Sequence, residues 1–247
     1  MVKERVSLTL DSGVVEKLDR KLEEEGIENR SRGVEQLLEE YLEQDSVPLA
    51  LILGGGEDSS CLVNINGKPV IEHAISHLED AGIDDIRIAT ADTAVETALA
   101  DRDVEVVFED RPLGTGGSLR EIEGGVEDTF LVMNGDVLCE VDLGDMHQVH
   151  QEAEGIATVA LTTVEDASPY GVIRMKGNRI VGFQEKPEEA DSHLVNAGVY
   201  LLDPEFLERI PPEDEELEVD IESVFEEIAE DGLLNGYVYE GEWREVG

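Results

Sequence analysis

The stretch Pro48 to Leu53, "PLALIL", runs into three glycines, Gly54, Gly55 and Gly56. An apolar strand that ends in glycines lets backbone N–H groups approach a triphosphate, because glycine has no Cβ to hold the phosphates off. The cations that such a site needs are missing: no Lys or Arg stands between Gly56 and Lys68, and the loop "EDSS" that follows the glycines is acidic. Other residue types with chemical potential are fewer. His73 and His77 are four apart on one predicted helix, and His147 and His150 three apart on another, spacings that can hold a metal. No third ligand accompanies either pair, which reads as surface or helix-packing histidine. Cys61 and Cys139 have no histidine nearby in sequence and read as core.

Elements must position these groups, and the pattern from Val47 onward alternates strand and helix. "PLALIL" is a strand, "PVIEHAISHLEDAG" an amphipathic helix, "DIRIAT" a strand, "TAVETALA" a helix and "VEVVFE" a strand. "SLREIEGGV" reads as helical and "TFLVMNGD" as a buried strand; "GVIRMKGNRIVGFQEKP" is a hairpin turning at Gly177 and Asn178. "VNAGVYLLD" is a strand, "VDIESVFEEIAEDG" a helix ending at Gly232, and "NGYVYE" a final strand. This rhythm predicts an α/β fold with a doubly wound, mostly parallel Rossmann-like sheet, its ligands beyond the carboxyl ends of the strands.

Residues 3–10, "KERVSLTL", alternate as a half-buried strand, followed by two helices. The first is capped by Asp11 or Ser12 and carries Val14, Val15, Leu18 and Leu22. The second is capped by Asn29 or Ser31 and carries Val34, Leu37, Leu38, Tyr41 and Leu42. So small a segment buries too little surface alone, which predicts a homodimer through residues 3–44. Two domains are expected, 1–45 and 46–247, joined by the short linker "EQDSVP".

Composition bounds the rest. The 247 residues carry 18 Lys+Arg against 60 Asp+Glu, a net charge of −42, with hydrophobic content still at 40%. That excess is spread along the chain, which argues for a solvated acidic shell on a folded protein and against disorder. Such a shell suits concentrated salt, where charges are screened, and suggests a halophile. The two cysteines suit a reducing cytosol, and with neither a signal peptide nor an 18-residue apolar run a cytoplasmic, membrane-free protein is expected.

Two resemblances add to this reading. Residues 3–44, with "NRS" at the start of the second helix, resemble the ribbon-helix-helix DNA-binding family. That resemblance implies DNA as a partner, with Arg5, Ser7 and Thr9 reading bases, Lys3 at the margin, and Ser31 and Arg32 meeting a phosphate. Against it, acidic residues outnumber basic ones nearly two to one in this segment. Residues 49–247 resemble the sugar-1-phosphate nucleotidyltransferases. "GGG", "NGKPVIEH", "RPLGTGGSL", "VMNGDVL", "PYGVI", "FQEKP", "VNAGVYLLD" and "EWREVG" occur in the family's order, and "PLGTGG" leans towards the mannose- and heptose-phosphate guanylyltransferase branch.

The second resemblance implies a site. Leu53, Gly54, Gly55 and Gly56, with Gly114, Thr115, Gly116 and Gly117 of the second glycine loop, would face the nucleotide. Gly171, Glu185, Lys186 and Asn196 would hold the sugar phosphate. Asp136 would hold Mg2+ together with Glu245, which stands where the family pattern W-x-D-x-G has aspartate. The family follows its first glycines with a loop G-T-R-L…P-K whose Arg and Lys bind the triphosphate. About ten residues of that loop, and both cations, are missing; only Lys68 and Arg111 are near enough to substitute. Two functions follow. One is a DNA-binding transcriptional regulator whose larger domain senses a nucleotide sugar or sugar phosphate. The other is a working NTP:sugar-1-phosphate nucleotidyltransferase dimerised through its first domain.

Overall fold

The computed structural model describes residues 6, 7, 9–24, 26, 27, 29–44, 47–56, 60–111, 113–212 and 218–246. The chain divides into two compact units, Met1–Asp45 and Ser46–Gly247.

The first unit is a pair of helices, α1 (Ser12–Glu24) and α2 (Arg30–Gln44). Asp11 opens α1: its carboxylate accepts from Gly13 N–H at 2.8 Å. Asn29 opens α2, its side-chain oxygen accepting from Arg32 N–H at 3.1 Å. The helices meet where Leu22 is buried against Gly33. A Cβ at that glycine would lie 2.2 Å from Leu22 Cδ2, so a larger residue there would displace the Leu22 side chain. A bidentate Arg30–Asp19 pair ties their exposed sides. Of the strand expected over residues 3–10, residues 6, 7, 9 and 10 lie in no strand, and 3–5 and 8 fall outside the described residues. A strand needs a neighbour to complete its ladder, and the described part of this unit offers only helices. Nor are Val14 and Leu38 buried; each is about half exposed, since two helices cover one side of each other only.

The second unit begins with β1 (Leu49–Gly55), a 3-10 turn (Ser60–Leu62), β2 (Asn64–Ile65) and β3 (Lys68–Pro69), then α3 (Val70–Asp80) and β4 (Asp85–Thr90). After α4 (Thr93–Ala98) and β5 (Glu105–Phe108), a 3-10 segment (Gly117–Gly125) leads to β6 (Phe130–Asn134), β7 (Val137–Cys139) and α5 (Leu143–Glu152). The chain continues through β8 (Ala157–Thr163), the hairpin β9 (Val172–Lys176) and β10 (Arg179–Gln184), and β11 (Leu194–Leu202). It ends with α6 (Pro204–Leu207), α7 (Ile221–Glu230), β12 (Leu234–Val238) and β13 (Trp243–Glu245).

Nine strands form one sheet in the order β5-β4-β1-β6-β11-β8-β12-β10-β9. It is parallel from β5 to β6 and mixed beyond, where β11 runs antiparallel to both β6 and β8. Alternation along β1 serves two cores: Leu49, Leu51 and Leu53 face one with Phe225 of α7, while Ala50 and Ile52 face the other with Ile71 and Ile75 of α3. Helices on both faces make the sheet doubly wound. Because β1 and β6 are parallel, their carboxyl ends lie together, and the antiparallel β11 starts beside them, with Val199 opposite Met133.

Candidate functional site

Two cavities open at that edge. The larger, ≈ 370 Å³, is lined by Leu53, Gly55 and Gly56 at the end of β1, by Gly114 and Thr115, and by Asp136. The smaller, ≈ 140 Å³, is lined by Gly171, Glu185, Lys186, Asn196 and Glu245. Asn134, the last residue of β6, lines both, so the two halves expected from the sequence share a wall.

Around the larger cavity the glycines divide their labour. Gly54 is buried against β4, where an added Cβ would lie 3.1 Å from Ala89 O, while Gly55 and Gly56 face the cavity. Gly114 has a φ of 78° and leaves room for a Cβ only 2.6 Å from Val219 O. Gly116 and Gly117 are buried; both N–H groups donate to Val219 O, at 2.7 and 3.1 Å, and Val219 N–H returns a bond to Leu113 O at 2.9 Å. These two glycines therefore dock the loop onto the segment before α7, leaving Gly114 and Thr115 to line the cavity. Its charged walls are Glu109, Asp136 and Glu218, and no Lys or Arg lines it among the described residues. Lys68 is turned away, its Nζ donating to Ser76 Oγ at 2.9 Å and to Glu72 O at 3.4 Å on α3. Arg111 lines neither cavity.

The carboxylate pair is assembled by a two-stranded ribbon. β13 runs antiparallel to β7 with Glu245 opposite Val137, and Val246 N–H donates to Asp136 O at 2.9 Å. Ser60 Oγ donates to Asp136 Oδ2 at 3.0 Å. The Glu245 carboxyl is held above the usual range by partial burial and then by the like charge of Asp136, which Lys186 opposes. Two oxygen-donor groups that repel each other fit a hard divalent cation such as Mg2+, with water and phosphate oxygens completing the shell. The histidine pairs do other work. His73 Nε2 lies 2.9 Å from Ile65 O, and buried His150 bridges Thr158 Oγ1 and Asp203 Oδ1 at 2.8 and 3.2 Å. No cluster of three metal-ligating side chains exists among the described residues. Cys61 is buried, and burial pushes the Cys139 thiol up to about 11, which disfavours its thiolate.

The smaller cavity is strained in a way that shapes it. Lys186 adopts a φ of 41°, rare for a residue with a side chain, and its N–H donates to Tyr170 O at 3.2 Å. Its Nζ lies 3.4 Å from Glu185 Oε1. Gly171 makes space for that carboxylate, since a Cβ there would sit 3.0 Å from Glu185 Oε2. Asn196 is held on both sides: Oδ1 accepts from Gly198 N–H and Nδ2 donates to Tyr200 Oη, each at 2.9 Å. It shapes the irregularity in β11 that brings Gly198 against Asn134.

Several lining residues had drawn no attention in the sequence. Asn134, Tyr170 and Trp243 lie inside motifs already noted, and the two rings pack edge to face at 5.1 Å. Ser60, Glu109, Glu218 and Glu222 carried no signal. Ser7, Thr9, Ser31 and Arg32 belong to the first unit and are exposed; Lys3 and Arg5 lie outside the described residues.

Fold, paired cavities and carboxylates together define an α/β domain with a two-part acidic cleft at the carboxyl ends of its parallel strands. Residues 49–247 match the Nucleotidyl transferase family, and the chain belongs to it. It is 34% identical over 200 residues to a mannose-1-phosphate guanyltransferase of Schizosaccharomyces pombe, covering 75% of this chain and 54% of that protein. Identity is 32% over 199 residues with the mannose-1-phosphate guanylyltransferase catalytic subunit beta of Danio rerio, with the same coverage. The chain thus spans about half the length of these relatives. Among solved structures, HddC from Yersinia pseudotuberculosis superposes with a TM-score of 0.68 at 23% identity, covering 81% of this chain and 94% of that one. The same protein complexed with GMP-PN gives 0.67 at 24%. No helix among the described residues is long and apolar enough to cross a membrane.

Proposed function

We propose that the second unit is a sugar-1-phosphate nucleotidyltransferase that joins a guanosine nucleotide to a hexose 1-phosphate of the mannose type, with low turnover. The observation that carries this reading is the pair of cavities sharing Asn134, with Asp136 lining one and Glu245 the other. In the reaction an oxygen of the sugar phosphate attacks the α-phosphorus. The new P–O bond forms as the bond from that phosphorus to the bridging oxygen breaks, and pyrophosphate leaves with the electron pair. Lys186 holds the sugar phosphate, Glu185 accepts from sugar hydroxyls, and Gly55, Gly56 and Gly114 let the nucleotide lie against backbone. Asp136 and Glu245 would hold Mg2+, which supplies charge neutralisation at the phosphates when bound.

Low turnover follows from the absence of Lys and Arg among the described residues that line the larger cavity. Removing one preorganised group at developing charge costs about 10²–10³ in rate. The relatives' names favour catalysis over a purely regulatory role. Pyrophosphate release from GTP and mannose 1-phosphate, in molar KCl with Mg2+, tests the reading. A slow rate lost on Asp136→Ala is expected; calorimetric titration that finds neither ligand bound would overturn it.

A second reading gives the same site a sensing role and adds DNA and a second copy of the chain as partners. It draws support from the acidic nucleotide cavity, from Ser31 and Arg32 exposed at the start of α2, and from the exposed apolar residues Val6, Leu10, Val14 and Leu38. Binding to a palindromic duplex in preference to random DNA, altered by mannose 1-phosphate, is its expected outcome. Equal affinity for both duplexes would remove it.

A further inference from the structure

Glu222 is the second residue of α7 and lines the smaller cavity, opposite in role to nothing that the sequence had marked. Thr115, on the glycine loop, lines the larger one. The two side chains meet: Thr115 Oγ1 lies 3.4 Å from Glu222 Oε2 as donor and accepts from Ile221 N–H at 2.9 Å. A threonine from a distant loop therefore caps the helix that carries Glu222. The loop is fixed to the same helix start by the bonds from Gly116 and Gly117 to Val219 O. Each cavity has one wall on this joint.

Chemistry sets what Glu222 receives. An ionised carboxylate has about four acceptor positions, more than Thr115 can use. Glu185 lines the same cavity, and the like charges of the two acids act on one another. A phosphate placed between them would meet only repulsion, whereas neutral hydroxyl donors would satisfy both. The phosphate is left to Lys186, the one cation lining the cavity among the described residues, and to a metal ion that Asp136 and Glu245 would hold. Burial, followed by the charges of Glu185 and Asp220, holds the Glu222 carboxyl above its usual range. Hydroxyl donors would relieve that.

We propose that Glu222 reads sugar hydroxyls in the smaller cavity and, through Thr115, makes sugar-phosphate and nucleotide binding favour each other. This rests on the functional reading above and adds a specificity-determining residue and a coupling between the two ligands. A sugar that engages Glu222 fixes its carboxylate and hence the Thr115 hydroxyl; a nucleotide that packs on Thr115 prepares the same arrangement. Linkage requires the effect to be equal in both directions.

The experiment uses the full chain and its single tryptophan, Trp243, which lines the smaller cavity and reports occupancy by fluorescence. Mannose 1-phosphate and its monodeoxy analogues are titrated with and without saturating GDP and Mg2+, on wild type, Glu222→Gln and Thr115→Val. In the wild type, GDP should tighten mannose 1-phosphate binding about fivefold or more. Glu222→Gln should weaken the sugar phosphate roughly tenfold and flatten its discrimination against one deoxy analogue. Thr115→Val should leave the sugar affinity within about threefold while abolishing the GDP effect. If the wild type binds both ligands and the two variants retain its coupling and its deoxy pattern, this inference fails and the functional reading stands. If the wild type binds neither, both fail. Circular dichroism of each variant separates a lost contact from a lost fold.

Discussion

Gly114→Ala tests the idea that the second glycine loop is held by backbone fit. Gly114 has a φ of 78°, and the left-handed conformation costs a side-chain-bearing residue about 1–2 kcal/mol. The new methyl would also lie 2.6 Å from Val219 O and 2.8 Å from Val219 N, backbone atoms that cannot rotate aside. Relief means lifting the loop, which endangers the bonds from Gly116 and Gly117 to Val219 O and from Val219 to Leu113 O. At about 0.5–1.5 kcal/mol for each bond, the total cost is about 3–6 kcal/mol. Gly82→Ala is the control, with a φ of 83° and nothing within 4 Å of the new methyl, so only the conformational cost applies. Urea unfolding of both variants in molar KCl gives the difference. GDP binding should be lost first in Gly114→Ala, because the loop is one wall of the nucleotide cavity. Stabilities of the two variants within about 1 kcal/mol of each other would refute the reasoning.

Three further outcomes are expected. Burial alone would raise the Asp203 carboxyl, but hydrogen bonds from His150 and Thr129 outweigh it and the net shift is downward. Its stabilisation is thus present above its unfolded value near 3.8 and is lost as pH falls through the lower folded value, so Asp203→Asn should be less stable at neutral pH and show a shallower acid limb in thermal melts. Glu222 is shifted the other way by burial: stability is full below its ordinary 4.5 and declines as pH rises through the folded value. Glu222→Gln should therefore melt higher than wild type at neutral pH, an advantage that vanishes in melts below about pH 4, while losing sugar affinity. Finally, nucleotide affinity measured by calorimetry should rise as KCl goes from about 0.1 M, where charges reach about 10 Å, to 1 M, where they reach about 3 Å. A basic phosphate site would weaken over the same range.

Much of the second unit was legible because its elements are punctuated. "DIRIAT" is β4 to the residue, and the hairpin turns at Gly177 and Asn178 as expected, with Gly177 at a φ of 67°. β8 was missed: "ATVALTT" is buried along nearly its whole length, so it shows no alternation to mark it as a strand. β7 and β13 are three residues each and exist through each other, a pairing between distant segments that no local pattern announces. That ribbon brings Asp136 and Glu245 together, so the proximity of these two carboxylates was readable only by resemblance. Local spacing also could not tell which glycines line a cavity. Gly54, Gly116 and Gly117 look like Gly55 and Gly114 in sequence, and only the backbone they touch separates packing from lining. Glu222 was invisible for a related reason: an acid in the first turn of an amphipathic helix is ordinarily explained by the helix dipole. The loop Leu113–Thr115 that closes over it comes from a remote part of the chain.

Charge decides how the two halves of the site can work together. Glu109, Asp136 and Glu218 line the larger cavity, and Glu185, Glu222 and Glu245 the smaller, against the single ammonium of Lys186 among the described residues. A polyanion cannot settle there on protein charges alone, so its binding must bring cations with it, and a chain of net charge −42 suits a solution that supplies them. The protein's own contribution is then shape and hydrogen bonding. On the proposed reading, glycine backbone would receive the nucleotide and carboxylates the hydroxyls, with Lys186 held in a strained conformation beside Glu185. A site built this way discriminates better by sugar than by phosphate. Hydroxyl contacts with positioned carboxylates would be lost outright when a hydroxyl is absent, whereas screening by ions is indifferent to which phosphate arrives.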